Sequence, residues 1–259
     1  MWVVSEMNKK VSEMKWFSTS VLAVAMSLLL GCQTTANTSQ DSEVNIKSES
    51  QVAQMEKVNN YDGLIEHYKQ QIAQNNNDVK AMENLAQTYL AKGDIESAQF
   101  WVLHLLHKGV STANLYQLHG QISMQQGEAK TALVAYQDAV KAGQNGGQIY
   151  VLLGIAHSQL DEFSQAVEQF NQARLLGYDD LTIKNNLAVI YLAQQDYPKV
   201  IETLIPLLKQ HPDNQVIKAN LAVALFKTGQ QAQAQKLLSD QFNDTELYLI
   251  SRQLKPVSG

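Results

Sequence analysis

Cysteine is almost absent from this chain of 259 residues, since Cys32 is the only one. A single cysteine excludes an intramolecular disulfide framework and a metal site built from several thiolates. Proline is scarce as well, with 4 residues, and aromatic side chains make up 7% of the chain. There is no excess of positive charge, because 20 lysines and arginines are set against 25 aspartates and glutamates. Binding to nucleic acid depends on Lys and Arg at the phosphates, so nucleic acid is not an expected partner.

The sequence also lacks the motifs that carry catalysis. No HExxH pair, cysteine pair or aspartate cluster accompanies the histidines, and no nucleophile lies in a motif with a base. The glycines within 143–147 follow no predicted strand, which argues against a phosphate-binding loop. His104 and His107 share a helix face, but a zinc site would need a third ligand from the next helix, where His119 occupies a core position. We therefore predict no catalytic residue, no metal site and no cofactor, and we do not expect an enzyme.

What the sequence does contain is a repeat of constant period. Five units begin at residues 79, 113, 147, 181 and 215, and each has two amphipathic helices with a small residue in each helix. Units of this length cannot bury their apolar faces alone and must stack on one another. The small residues are Ala86, Gly120, Gly154, Ala188 and Ala222 in the first helix, and Ala98, Ala132, Ala166, Val200 and Ala234 in the second.

The unit at 147–180 shows why these positions are small. Gly154 and Ala166 allow the two helices of the unit to approach closely as an antiparallel pair, while Leu153 and Phe170 fill the space around that contact. Asp161, between the helices, stands where sister units have glycine, a residue that suits the left-handed conformation at a helix end. The sequence therefore predicts short turns within each unit.

Both ends of the repeat array show signs of caps. Residues 61–78 are predicted to be the second helix of a truncated repeat, on the spacing of Tyr61, Leu64 and Tyr68. Asn243 and Glu246 form a predicted capping box that opens a last helix over 244–254. Terminal caps are expected of stacked repeats because the outermost faces would otherwise remain exposed.

The repeat resembles the tetratricopeptide (TPR) consensus, and the period agrees with it. The resemblance implies an all-α fold over 61–255: a right-handed superhelical solenoid of antiparallel helix pairs. The residues that carry it in the fourth unit are Leu187, Ala188, Tyr191, Tyr197, Leu204, Leu207 and Pro212.

The start of the chain, up to Cys32, carries a different pattern. Lysines at 9, 10 and 15 precede an apolar run over 21–30, which is shorter than the ~20 residues that a membrane-spanning helix needs. The run ends in Leu29-Leu30-Gly31-Cys32, which resembles the bacterial lipobox. That resemblance implies a lipoprotein signal peptide over 1–31, lipidation of Cys32, and, with Gln33 next, the periplasmic face of the outer membrane. The alternatives are a structural buried cysteine and a start at Met7 or Met14.

Residues 32–60 are rich in Thr, Ser, Asn and Gln and are predicted to be a flexible tether between the lipidated cysteine and the repeats. Lipid chains would hold such a protein at a membrane stably only when there are two or more of them. The membrane, reached through this anchor, is thus one expected partner.

By resemblance to TPR proteins, the concave groove is lined by the first helix of each unit and binds protein partners. Along this groove the side chains change from charged to amide-rich and then to apolar. The apolar end suits a helix face or an anchor of a partner, and the amides suit an extended backbone. The alternative is that the C-terminal helix, with Leu247 and Ile250, covers this end. The candidate groove residues are Asn185, Asn186, Val189, Leu192, Asn220, Val223 and Phe226.

Three runs narrow the resemblance further, namely residues 183–188, 204–207 and 218–222. Together with the lipobox they resemble the TadD family of tight-adherence (Flp) pilus assembly lipoproteins. The resemblance implies a scaffold in the cell envelope that assists the localisation or assembly of the outer-membrane secretin or another pilus-assembly subunit. Three alternatives stay open: a periplasmic TPR adaptor that recruits cell-envelope enzymes, a pilotin of a type IV pilus, and an enzyme accessory or hidden hydrolase. The absence of a nucleophile motif counts against the last of these.

Overall fold

The structure is a computed structural model, and it describes residues 51–254. The predicted signal peptide over 1–31, the lipidation site Cys32 and the tether up to residue 50 lie outside the described residues. Residues 61–253 contain twelve helices, and 51–57 are helical as well, whereas no strand occurs between residues 51 and 254. The all-α class is thus confirmed. The helices are α1 (Tyr61–Gln74), α2 (Val79–Lys92), α3 (Ile95–His107), α4 (Ala113–Gln125), α5 (Ala129–Lys141), α6 (Gly147–Gln159), α7 (Phe163–Leu175), α8 (Asp180–Ala193), α9 (Tyr197–Gln210), α10 (Gln215–Lys227), α11 (Gln231–Leu238) and α12 (Asp244–Gln253).

The helices belong to two compact units, which we describe separately. The N-terminal unit covers 51–145 and holds α1 to α5, in which α2 packs on α3 and α4 packs on α5. Short turns join these pairs, so the partners run antiparallel. The core around α2, α3 and α4 is built from Ala86, Ala98, Val102, Leu105, Leu115 and Leu118.

The C-terminal unit covers 146–254 and holds α6 to α12. Its first helices α6, α8 and α10 begin at Gly147, Asp180 and Gln215, at or one residue before the repeat starts found in the sequence. The unit closes with α12, where the Asn243 side chain accepts from the backbone N–H of Glu246 and the Glu246 side chain accepts from that of Asn243. This reciprocal pair is the capping box expected from the sequence.

Close packing explains the glycines in the first helices. A Cβ atom at Gly154 would lie 2.6 Å from Cε1 of Phe170, and one at Gly120 would lie 2.3 Å from Cε1 of Tyr136. Both distances are too short for real atoms, so the ring of the second helix lies directly on the glycine of the first. The space left by Gly154 is therefore taken by the ring of Phe170, and Ala166 is fully buried on the same second helix.

The turn between the two helices of a repeat contains one residue with a left-handed backbone conformation. Gly93 ends α2 with a φ of 86°, and Asp161 and Gln195 take the same place after α6 and α8 with φ values of 59° and 61°. Glycine adopts this conformation without the steric cost that a Cβ imposes. The prediction for Asp161 is confirmed, and Gln195 shows that the fold imposes the same turn on a third residue type.

The N-terminal boundary of the repeats differs from the sequence prediction. Residues 51–57 are helical, and Val52 and Met55 pack against a cluster of Leu64, Ile65 and Tyr68. The predicted tether over 32–60 therefore ends earlier, and α1 is not a lone second helix. Apolar residues were too sparse before residue 61 for the periodicity to reveal this short helix.

Tyr136 offers a test of the core. Its hydroxyl is buried and has no hydrogen-bond partner among the described residues, and burial raises the pKa of the phenol well above its usual range. Phe170 holds the same position in the next repeat and has no hydroxyl. An unpaired buried hydroxyl costs about 1–3 kcal/mol, so Tyr136→Phe should leave the free energy of unfolding unchanged or raise it. Urea denaturation followed by circular dichroism measures this, and a clear loss of stability would mean that the hydroxyl has a partner.

Candidate partner-binding grooves

Glu83 is a charged residue at the start of the expected groove in the N-terminal unit, and its side chain points into the protein. Its side chain is buried, with 3% exposed. Thr112 Oγ1 donates a short hydrogen bond to Glu83 Oε1, and Asn114 Nδ2 donates to Oε2 over 3.0 Å. Because Thr112 also caps α4, this carboxylate ties α2 to the start of α4. The charged beginning of the groove is therefore an internal contact rather than a charge offered to a partner.

Two glutamines follow along the same side of α4. Gln117 Oε1 accepts from Gln144 Nε2 over 2.6 Å, whereas Gln121 Oε1 is buried and has no hydrogen-bond partner in residues 51–254. An unpaired buried acceptor is costly, and an N–H donor from another molecule would offset that cost. Gln121 belongs to the amide-rich stretch of the groove expected from the sequence, although it was not singled out as a candidate partner-binding residue. The available signal was its place in the repeat, since Gln87 holds the same place one unit earlier and is also an amide.

The amides of the C-terminal unit bond within the unit. Asn220 Nδ2 donates to Asn185 Oδ1 over 3.1 Å, which ties α8 to α10, and Asn186 Nδ2 donates to the backbone oxygen of Thr182 over 2.9 Å. All three asparagines are buried, with exposed fractions of 7–8%. The expectation that they bind a partner's extended backbone stays a prediction. In the described structure Asn185 and Asn220 join two first helices, and Asn186 bonds within its own helix.

The apolar candidates divide into two groups. Val189 and Leu192 on α8 and Val223 on α10 are half-buried, so part of each side chain reaches solvent. Phe226 is buried, with 2% exposed, in one cluster with Leu247 and Ile250 of α12. Phe226 is therefore not an accessible anchor, and it belongs to the same core cluster as these two residues of the C-terminal helix. The three half-buried side chains form the C-terminal groove patch, defined as Val189, Leu192 and Val223.

The histidines take part in packing and pairing. His104 stacks on Phe100 with the ring centroids 6.2 Å apart, and burial lowers the pKa of His119, with the charge of Glu128 opposing that shift. Between residues 51 and 254, no three or more His, Cys, Asp or Glu side chains are grouped so as to hold a metal ion. Within the same range, no helix has both the length and the apolar character needed to cross a membrane.

Comparison with known proteins identifies the repeat. Models of the tetratricopeptide repeat match residues 151–202 and 191–246. Among solved structures, a thermophilic TPR protein of Thermus thermophilus is 20% identical and matches with a TM-score of 0.54, covering 69% of this chain and 97% of that one. A TPR protein of Parabacteroides merdae is 15% identical, with a TM-score of 0.63 over 82% of this chain and 84% of its own. No curated protein matches the chain in sequence.

A third structure, YrrB, is a TPR protein with an unusual peptide-binding site. It is 16% identical, with a TM-score of 0.54, and the match covers 71% of this chain and 97% of YrrB. At these identities the likeness establishes the fold alone. The described chain thus has the all-α TPR fold, whose repeats form scaffolds for protein–protein interaction and typically carry no enzyme activity.

Proposed function

From the TPR fold we propose that this protein is a lipid-anchored scaffold at the periplasmic face of the bacterial outer membrane, where it serves the assembly of a Flp pilus secretion system. Its partner in this proposal is a segment of the secretin or of another pilus-assembly subunit. The anchor is supported by the lipobox that ends at Cys32, and the pilus by the resemblance of residues 183–188, 204–207 and 218–222 to the TadD family.

The observation that carries the proposal is the C-terminal groove patch. Val189, Leu192 and Val223 lie on two first helices and keep part of their apolar surface in solvent. The neighbouring asparagines stabilise the same helices, since Asn220 bonds to Asn185 between them. A rigid surface with partly exposed apolar side chains is suited to bind the apolar face of a partner helix or segment. YrrB, which has a similar fold, is a TPR protein with a peptide-binding site.

The test is photo-crosslinking in cells that make the pilus. A photoreactive amino acid at Val223 should crosslink to the secretin or to another pilus-assembly subunit. The same amino acid at Leu175, which is 81% exposed on α7 in the same unit, is the matched control and should give no such product. Capture of a cell-wall enzyme at Val223 instead would overturn the pilus proposal in favour of an adaptor.

The anchor has its own prediction. Cys32→Ser should abolish incorporation of labelled palmitate and release the protein from the outer-membrane fraction, because stable anchoring requires the lipid chains. The helical content should not change, since residue 32 lies outside the helices described over 51–254. Fractionation and palmitate labelling measure this in intact cells. A Cys32→Ser protein that still carries label and remains in the outer membrane would show that the anchor is elsewhere.

A further inference from the structure

The repeats allow a comparison of outward-facing positions inside the same chain. Phe100 on α3 and Val134 on α5 occupy the same place in successive repeats, and they are 62% and 57% exposed. At that place the C-terminal unit has exposed charged side chains, Glu168, Glu202 and Lys236. The fold therefore accepts a charge there, and nothing in the packing of the repeat requires an apolar residue. The exposed apolar side chains of the N-terminal unit need another explanation.

On α3 this apolar surface is more than one residue wide. Ala98, Val102 and Leu105 are fully buried on one side of the helix. Phe100 and Leu103, the latter 36% exposed, lie on the opposite side of the helix by its periodicity of about 3.6 residues per turn. We call Phe100, Leu103 and Val134 the outer apolar face.

Rings beside Phe100 support it. The Trp101 ring meets Phe100 edge-on with the centroids 5.5 Å apart, and the His104 ring stacks on Phe100 at an interplanar angle of 13°. Trp101 itself is half-buried and packs against the core of the unit. The exposed phenyl ring is thus held on a rigid base rather than on a mobile side chain, and the entropy lost when it binds a surface is small.

The charges around α3 select the kind of surface. No aspartate or glutamate occurs between residues 97 and 127, whereas His104, His107 and Lys108 all lie there. Glu96 is the exposed acid of the first turn of α3. On α5, Lys130 is exposed, and Lys141 pairs with Asp138 over 2.7 Å. A face with aromatic and aliphatic side chains, with histidines and lysines at its edges, matches the interface of a phospholipid membrane, where apolar groups enter the headgroup region.

The length of chain before the N-terminal unit places a membrane within reach. Residues 33–50 separate Cys32 from the helical segment that begins at residue 51. The tether predicted from their composition would have an end-to-end distance of about 25 Å. A weak contact becomes populated when a tether holds the two surfaces this close, because the second binding event is intramolecular.

We propose that the outer apolar face lies on the phospholipid surface of the membrane that holds the lipid anchor. This inference rests on the proposed anchor at Cys32. Contact through α3 would fix which side of the N-terminal unit lies against the membrane. The anchor would then do more than retain the protein, because the face would orient this unit toward partners in the periplasm.

The test uses Trp101, the one tryptophan outside the predicted signal peptide, which contains Trp2 and Trp16. The lipidated protein is reconstituted into vesicles of phosphatidylethanolamine and phosphatidylglycerol, with and without brominated acyl chains. The ratio of Trp101 emission in the two vesicles measures contact with the bilayer and is insensitive to direct effects of a mutation on the indole. We expect strong quenching of the parent protein by the brominated lipid.

The double variant Phe100→Glu, Val134→Glu introduces the glutamate that later repeats of the same chain carry at this position, as Glu168 and Glu202. The fold should therefore tolerate it. Trp101 emission of this variant should be the same in brominated and unbrominated vesicles. The protein should still float with the vesicles, because its anchor is intact. Leu175→Glu, a charge at an exposed apolar residue of the other unit, is the matched control and should keep the parent's quenching.

Four results would overturn the inference. Vesicles that carry the parent protein without quenching would show that the anchor holds but the face does not touch lipid. Quenching unchanged in the double variant would place the contact elsewhere. Crosslinking of Phe100 to a second copy or to another protein, with no quenching, would make the face a protein interface. A parent protein that does not float with vesicles would overturn the proposed anchor and this inference together.

Discussion

Phe170→Ala should lower the free energy of unfolding of the C-terminal unit by about 3–5 kcal/mol, the usual cost of removing a large aromatic side chain from a core. Phe170 is fully buried, and its ring rests against Gly154 of α6. Glycine has no side chain with which to fill the space, so the cavity cannot collapse without movement of the helices. The change thus removes one of the contacts that join α6 to α7.

Urea denaturation and hydrogen exchange of α6 and α7 measure this effect. Leu175→Ala, in the same helix but at an 81% exposed residue, is the matched control and should change stability by no more than about 0.5 kcal/mol. Because stacked repeats are stabilised by their neighbours, amides of α8 should also exchange faster in Phe170→Ala. Equal melting of the two variants would mean that the ring is not part of the core.

Sequence reasoning predicted the parts of the fold that depend on spacing. The constant period located the first helices, and the small residues located the close contact between α6 and α7. Both succeeded because each repeated unit imposes the same steric requirement at the same place, so five units supply five independent observations of one rule. The left-handed turn at Asp161 is predicted in the same way, from the glycines of its sister units.

The candidate site was predicted less well, and particular residues show why. Phe226 and Val223 lie on the same helix and look equally suited to a groove, yet Phe226 is buried in the core cluster and Val223 is half-buried. Which of the two is buried depends on how the last helices of the chain pack, and the repeat carries no information on this. Asn185 and Asn220 are similar, since an amide that bonds to a neighbouring helix has the same place in the sequence as one that bonds to a ligand.

The outer apolar face was missed for a different reason. A repeat consensus describes what the units share, whereas Phe100 and Val134 are informative because they differ from Glu168, Glu202 and Lys236. The signal was present in the sequence as a departure from the other units at an outward position. Aligning the units and asking which exposed positions lose their charge would have found it.

The largest functional effect is expected for Val189→Glu combined with Val223→Glu. Both side chains belong to the C-terminal groove patch and are half-buried on adjacent first helices, α8 and α10. In the free protein the two carboxylates can remain in water, because part of each position is exposed. Against an apolar partner they would lose water without gaining a bond, and removing a charge from water costs several kcal/mol. Each step of about 1.4 kcal/mol is a tenfold change in affinity, so the affinity for the partner should fall by about 100-fold or more.

The design of this experiment separates binding from folding. Circular dichroism and the melting temperature of the double variant should stay close to the parent's values, while the crosslink from Leu192 to the pilus-assembly partner and the number of assembled pili should fall. Leu175→Glu combined with Ile205→Glu, two exposed positions of the same unit, adds the same charge outside the patch and should preserve both. If the double variant keeps its helicity and its pili, the patch is not the working surface. If helicity falls together with piliation, Val189 and Val223 act as core residues, since a carboxylate destabilises a fold only where the fold removes it from water.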